Sequence, residues 1–346
     1  MKKLLIVTDA WHPQINGVVR SLTEIGKQGA AFGFSVEYLT PEGFASVAMP
    51  GYAEIRLALA TPSQIARRIE AFAPDCIHIA TEGPLGILAR RFCMTRRRKF
   101  TTSYHTRFPE YLSARLPVPS WPLAALMRRF HSAAAATMVS TQTLEEELAA
   151  QGYKNLVRWT RGVDAELFHP GKALRLPFPR PIFLYAGRVA VEKNLAAFLA
   201  LDLPGSKLVA GDGPARAQLE AQFPDAHFLG SRQGEALAEI FASADAFVFP
   251  SLTDTFGVVL LEALASGVPV AAFPVAGPRD VIGGSKTGVL DRDLRRGALA
   301  ALSVPRNRCR QYALQFSWQE SARQFFANVL RANGMGALRR ELPSAA

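Results

Sequence analysis

Short apolar runs alternate along the chain with stretches whose apolar residues recur every three to four positions. The runs at 3–8, 35–40, 76–80 and 137–140 predict strands, and 101–105 predicts a strand end. In the second half, strands are predicted at 182–186, 207–210, 246–250 and 268–273. Helical spacing covers 18–32, 194–201, 215–223, 234–243, 258–266 and 318–330. Strands alternating with helices predict an α/β protein with parallel sheets covered on both faces. The units are too numerous for one open sheet, so two doubly wound sheets are expected. A single (β/α)8 barrel is the main competitor, since the length alone allows it.

A stiff, turn-rich stretch near 165–181, with His169-Pro170-Gly171 and Pro177-Phe178-Pro179-Arg180-Pro181, suits a linker. The expected organisation is a first domain over 1–168, a second over 169–315, and a final segment over 316–346. Residues after Gly334 lack periodicity and are expected to be loosely held. A length of 346 residues and 49% hydrophobic content supply two sizeable cores. No apolar run reaches the 18 residues a membrane span needs. The apolar start after Lys2-Lys3 breaks at Asp9 without a cleavage site, so it reads as a first strand and not a signal peptide. Cys76, Cys93 and Cys309 have no metal-ligand spacing and leave an odd count, which suits a reduced, cytoplasmic protein.

Charge narrows the partner. The net of +11 divides unevenly: residues 1–165 hold 20 basic and 13 acidic side chains, a net of +7, and the remainder holds 20 and 16, a net of +4. An acidic partner is implied, whether nucleic acid, anionic lipid or a phosphorylated substrate.

Three glycine-containing turns follow strands where open α/β sheets bind ligands. Asn16-Gly17-Val18 lets a phosphate approach backbone at a helix start, or serves only tight packing. Ala186-Gly187-Arg188 with Glu192-Lys193-Asn194 delivers a guanidinium and an ammonium beside a helix N-terminus, the makings of a pyrophosphate site. Each charge alone also reads as a solvated loop residue. The third turn, 250–257, leads into Val258-Val259-Leu260-Leu261-Glu262-Ala263. Asp254 lies on the loop and Glu262 eight positions later on the helix. They read either as carboxylates for sugar hydroxyls or as a helix cap and a surface residue. The apolar run around Glu262 favours the first, because a carboxylate there needs a partner.

Together these segments resemble the family 4 retaining glycosyltransferases. The resemblance rests on Arg161-Gly162-Val163-Asp164 with Phe168-His169-Pro170, Gly187-Arg188 with Lys193-Asn194, Gly211-Asp212-Gly213-Pro214, the Asp254 and Glu262 pair, and Ala263 with Gly267-Val268-Pro269-Val270. It implies a GT-B fold: two Rossmann-like domains facing across a cleft, acceptor on the first and nucleotide-sugar on the second, with a C-terminal helix crossing back to the first. It assigns Arg188 and Lys193 to the diphosphate, helped by Gly17 and the amides of Phe256, Gly257 and Val258. Glu262 falls to the ribose, Asp254 to the donor sugar, and Arg232 to the donor side. The family usually has Glu where Asp254 stands, one methylene longer. His105 matches an active-site histidine that orients the donor sugar without acting as a nucleophile. Retention is pictured as front-face departure in which the leaving diphosphate helps deprotonate the acceptor. No metal or other cofactor is expected.

On the acceptor side the resemblance places Asp9, Trp11, Glu82 and Arg107, within 8–13, 80–86 and 105–109. It is nearest the branch of glycosyl- and sulfoquinovosyl-diacylglycerol synthases and related mannosyltransferases. That branch implies a UDP-sugar and a membrane lipid, with GDP-mannose or a saccharide acceptor as the alternative. The basic residues Arg90, Arg91, Arg96, Arg97, Arg98 and Lys99 suit an anionic leaflet, as do apolar residues between Pro117 and Phe130 flanked by Arg115, Arg128 and Arg129. Peripheral attachment to the inner face of the cell membrane is expected. A Rossmann dehydrogenase is excluded: its G-x-G-x-x-G turn is missing, and the second strand ends in Leu39-Thr40-Pro41. A sugar-nucleotide epimerase of the same shape would not need the basic patch. No reading element for nucleic acid is present, so none is expected as a partner.

Overall fold

The first strand shows how the sheets are buried. Leu4 and Ile6 face one layer of helices while Leu5 and Val7 face the other, so both alternations are apolar. The computed structural model describes residues 1–14, 16–49, 52–107 and 120–338. It divides into two units, one of residues 1–160 with the segment from Gln319 onward, the other Arg161–Trp318.

The first unit holds β1 (Lys2–Val7), β2 (Phe34–Leu39), the hairpin β3 (Ser46–Met49) and β4 (Tyr52–Ala58), β5 (Cys76–Ile79), β6 (Thr101–Ser103), β7 (Ala136–Val139) and β8 (Leu156–Arg158). Its six-stranded sheet has the order β2-β1-β5-β6-β7-β8, parallel throughout. Helices α1 (Gly17–Gln28), α2 (Pro62–Phe72), α3 (Pro84–Thr95), α4 (Ser120–His131) and α5 (Gln142–Ala150) come from the same stretch of chain. Ile65 and Ile69 of α2 and Leu85, Ala89 and Cys93 of α3 cover one face. Leu22 and Ile25 of α1 share the other with Phe325, Phe326 and Val329 of the last helix.

The second unit repeats the plan. Strands β9 (Ile182–Ala186), β10 (Ser206–Ala210), β11 (His227–Gly230), β12 (Ala246–Phe249), β13 (Val270–Ala272) and β14 (Gly288–Leu290) take the parallel order β11-β10-β9-β12-β13-β14. Its helices are α6 (Leu195–Leu199), α7 (Arg216–Gln222), α8 (Gly234–Ser243), α9 (Val258–Ala265), α10 (Ala276–Ile282), α11 (Leu294–Ala301) and α12 (Arg306–Ala313). The last helix, α13 (Trp318–Ala332), follows. Two open sheets with reversing strand order exclude the barrel.

Local differences from the sequence reading have local causes. The helix expected over 18–32 ends at Gln28, followed by a 3-10 turn that Gly33 closes at φ 76°. The strand expected over 268–273 shortens to Val270–Ala272, and the hairpin of β3 and β4 carried no recognised signal. The first unit ends at Thr160 rather than 168. Val163 and Phe168 already belong to the core of the second unit, and Arg310 holds the carbonyls of Ala165 and Phe168 at 2.8 and 2.6 Å. In the Arg161-Gly162-Val163-Asp164 motif, a Cβ on Gly162 would lie 2.4 Å from the Trp318 nitrogen. Burial pulls the Arg161 guanidinium down to about 9. The loose tail expected after Gly334 is a correction in part. Met335 and Leu338 pack on the core beside α13, and residues 339–346 lie outside those described.

Candidate functional site

In the second unit the strand order reverses between β9 and β12, so the loops after these strands part and leave a crevice at their carboxyl ends. The 187–194 loop is held by close backbone approach. Gly187 takes φ 146°, and a Cβ on Gly211 would lie 1.8 Å from the Gly187 carbonyl oxygen. The Val189 amide donates to Asp212 at 2.9 Å and the Ala215 amide to Val189 at 3.1 Å. Arg188 is thereby fixed between two strand ends, its carbonyl accepting from the Tyr185 hydroxyl at 2.7 Å. Burial lowers the Arg188 pKa from its ordinary value, against the opposing pull of Glu192.

The loop then turns onto its neighbour. Lys193 Nζ lies 2.7 and 2.9 Å from the two carboxylate oxygens of Asp254, with each side chain 18% exposed. The Asn194 side-chain amide donates to the Pro250 carbonyl at 3.1 Å. Asp254 is therefore not a helix cap. That position belongs to Gly257 at φ 82°, which supplies no side-chain bond. The helix thus begins at Val258 with no side-chain cap from Gly257, and the amides around Phe256, Gly257 and Val258 lie at the positive end of its dipole. Glu262 lies one turn on from Val258, on the same face of α9, and is 4% exposed, so it is not a surface residue. A Cβ on Gly277, in α10, would lie 2.8 Å from the Asp254 carbonyl oxygen, which brings α10 against the same loop. Arg188, Lys193, Asp254, the α9 start and Glu262 thus share one end of the sheet. Arg232 is exposed on the loop after β11, two strands from the switch point.

The first unit has its own switch point, between β1 and β5. Gly17 opens α1, where Asn16 Oδ1 accepts from the Val18 and Val19 amides, each at 3.0 Å. The helix start therefore already carries a side-chain acceptor. The Asp9 carboxylate accepts from the amides of Leu85 at 2.8 Å and Gly86 at 3.2 Å and from the Thr81 hydroxyl at 3.0 Å, closing the start of α3. Burial raises the Asp9 pKa, against the pull of those donors. Trp11 stacks on Tyr38 with centroids 4.4 Å apart. Glu82 pairs with His131 at 2.9 Å. His105 meets the edge of Trp159 at 5.7 Å, and Arg107 donates to Glu147 of α5. Sequence reasoning passed over His131, because its partners are brought in from three other elements.

The basic run is divided in use. Arg90 donates to the carbonyls of Phe130 and Arg129, both at 3.0 Å, Arg98 donates to the Pro74 carbonyl, and Arg96 pairs with Glu70 at 2.8 Å. Arg91, Arg97 and Lys99 are exposed. On α4, Trp121 is 73% and Leu126 54% exposed, while Arg115 and residues 117–119 lie outside those described, as do Phe108 and Pro109. Among the described residues no helix is long and apolar enough to cross a membrane.

Two doubly wound units, the second with cations and a helix start at its switch point, define a glycosyltransferase of the GT-B class. The family model described as Glycosyltransferase Family 4 matches residues 15–167, and that described as Glycosyl transferases group 1 matches 180–303. A GDP-mannose-dependent alpha-mannosyltransferase of Mycobacterium tuberculosis is 32% identical, with 83% of each chain covered. Sulfoquinovosyl transferase SQD2 of Arabidopsis thaliana is 33% identical over 69% of this chain and 50% of that one. Among solved structures, sucrose-phosphate synthase from Thermosynechococcus elongatus has a TM-score of 0.75 at 19% identity, covering 94% of this chain and 98% of its own. Anabaena HepE in complex with UDP and glucose has a TM-score of 0.70 at 15% identity with the same coverage. The chain belongs to the family 4 glycosyltransferases and is a transferase enzyme.

Proposed function

We propose that the chain transfers a hexose, with retention, from a nucleoside-diphosphate sugar to the hydroxyl of a membrane lipid such as diacylglycerol. The observation that carries the donor half is the Lys193–Asp254 pair, its lysine on the same loop as Arg188, beside the uncapped start of α9. Arg188, Lys193 and the α9 amides receive the diphosphate, Asp254 the hexose and Glu262 the ribose. The anomeric carbon–oxygen bond to the diphosphate breaks as the bond to the acceptor oxygen forms on the same face. The acceptor proton passes to the departing phosphate, whose growing charge the cations stabilise. Since these cations supply the counter-charge, transfer proceeds without a metal.

Uridine is the first reading for the base, supported by the likeness to lipid-directed synthases and by a structural neighbour that holds UDP. Guanine is the second, favoured because the relative covering 83% of both chains is named for GDP-mannose. A panel of UDP- and GDP-sugars offered with and without diacylglycerol tests both. Transfer should need one nucleotide class and the lipid, and should persist in excess chelator. Loss on chelation, restored by Mg2+ or Mn2+, would overturn the metal-free step.

A lipid acceptor requires the enzyme to visit the bilayer, since each methylene drawn into water costs about 0.8 kcal/mol. Arg91, Arg97 and Lys99, with Trp121 and Leu126 on α4, are the exposed groups suited to that surface. Co-sedimentation should show binding to anionic vesicles, little to zwitterionic ones, and weakening as salt shortens the Debye length from about 10 Å at 0.1 M to about 3 Å at 1 M. Replacing Arg91, Arg97 and Lys99 with Ser should abolish it. Arg90 and Arg98 are left intact, because they hold backbone carbonyls. Indifference to anionic vesicles at low salt would favour a saccharide acceptor.

A further inference from the structure

Glu82 and Asp9 are the two carboxylates at the switch point of the first unit, and their circumstances differ. Asp9 is spent on the α3 amides and Thr81. Glu82, on the loop between β5 and α3, is held only through Oε1, by the His131 Nε2 at 2.9 Å. Its Oε2 carries no hydrogen bond among the described residues, and its side chain is 16% exposed. His131, at the C-terminal end of α4, is 1% exposed. Its Nδ1 meets the Thr102 hydroxyl at 3.0 Å, Thr102 meets Thr137 at 3.1 Å, and the Thr137 hydroxyl returns to the His131 carbonyl at 3.3 Å. Tyr104, Tyr153 and Phe130 surround the ring at centroid distances of 5.6, 6.0 and 5.1 Å. Among the described residues, the charged and titratable groups around the pair are Asp9, Arg90, which grips the last turn of α4, and the two tyrosines.

We infer that His131 is a positioning residue. Through Nε2–H it fixes the Glu82 carboxylate so that Oε2 accepts a hydrogen bond from the acceptor hydroxyl as the acceptor binds, a bond given up when that proton turns to the departing phosphate during transfer. The inference rests on the acceptor reading proposed above and deepens it. Its physical ground is that both ring nitrogens are satisfied inside a dry shell, so the ring cannot turn without orphaning a buried group. A carboxylate so oriented discriminates strongly for a hydroxyl donor, because a site built around a buried polar group rejects ligands that leave it unpaired. Glu82 thereby recognises a ligand with a free alcohol and rejects its acylated or methylated counterpart.

The test uses the full-length protein with dioctanoylglycerol in mixed micelles as acceptor probe, alongside the 15N resonance of His131 Nε2. Glu82→Gln and His131→Phe should each lower kcat/KM for dioctanoylglycerol about 10–100-fold through KM, and the double variant should be no worse than either. His131→Gln, which keeps a side-chain N–H donor, should recover most of the loss. Adding dioctanoylglycerol should shift the Nε2 resonance in the wild type and not in Glu82→Gln, a readout independent of turnover. Thr102→Val, which removes the Nδ1 partner, covers the case in which His131→Phe does not fold, and should also raise the acceptor KM. Calorimetry with UDP and GDP reports the donor site separately. Nucleotide binding without any Nε2 shift would overturn this inference alone. Loss of nucleotide binding from the wild type would remove the parent reading instead. A His131→Phe that folds and leaves the acceptor KM unchanged would reduce the network to a structural role.

Discussion

Replacing Arg188 and Lys193 together with Ala is expected to lower kcat/KM by roughly 10³–10⁴-fold while leaving the fold intact. Removing one preorganised donor from a developing oxyanion typically costs about 10²–10³ in rate, and two groups acting on one diphosphate are less than additive. Both side chains stand on the 187–194 loop, whose shape depends on Gly187, Gly211 and the Asn194 amide rather than on either charge. The change should therefore act on the ligand. Calorimetry decides: affinity for UDP or GDP should collapse while the much weaker binding of uridine or guanosine is barely altered. Equal losses for diphosphate and nucleoside would remove the phosphate role. The Lys193–Asp254 pair adds a second signature. Lys193→Ala leaves a mostly buried carboxylate without this cation, so the single variant should also weaken the proposed contact of Asp254 with the donor hexose.

Phe325→Ala is expected to destabilise the first unit by about 3–5 kcal/mol, the usual cost of emptying a buried aromatic site. Phe325 is fully buried in α13 and lies 4.9 Å from both the His78 and Trp159 rings and 5.4 Å from Phe326. Around it the Trp159 indole donates to the Ser321 hydroxyl at 3.0 Å, and Ser321 donates to the Thr160 carbonyl at 2.8 Å. A helix from the far end of the chain thus completes a core whose strands come from the first 160 residues. Thermal unfolding should show the first unit's transition lowered by roughly 10 °C, with the second unit's transition unmoved. A shift of both together would mean that the units unfold as one cooperative body.

These two predictions draw on different levels of information. The α/β class and most strands of the two sheets were legible along the chain, because each depends on local periodicity, and the candidate donor residues were named from glycine turns near charges together with the family resemblance. Strand 182–186 and helix 234–243 emerge with the bounds expected. The boundary at Thr160, the docking of residues 335–338 and the hairpin of β3 and β4 were not legible, since they are decided by what a neighbouring surface leaves uncovered. The same holds within the sites. Arg188, Lys193 and Glu262 could be named from sequence, but the closure of Lys193 onto Asp254 and the burial of Glu262 are outcomes of packing. Six basic residues looked alike in the run 90–99, yet backbone carbonyls claim Arg90 and Arg98, and Glu70 claims Arg96. His131 carried no signal at all. Its meaning arises only where α4, β6, β7 and the loop after β5 converge, because a buried imidazole must satisfy both nitrogens with whatever the fold brings near.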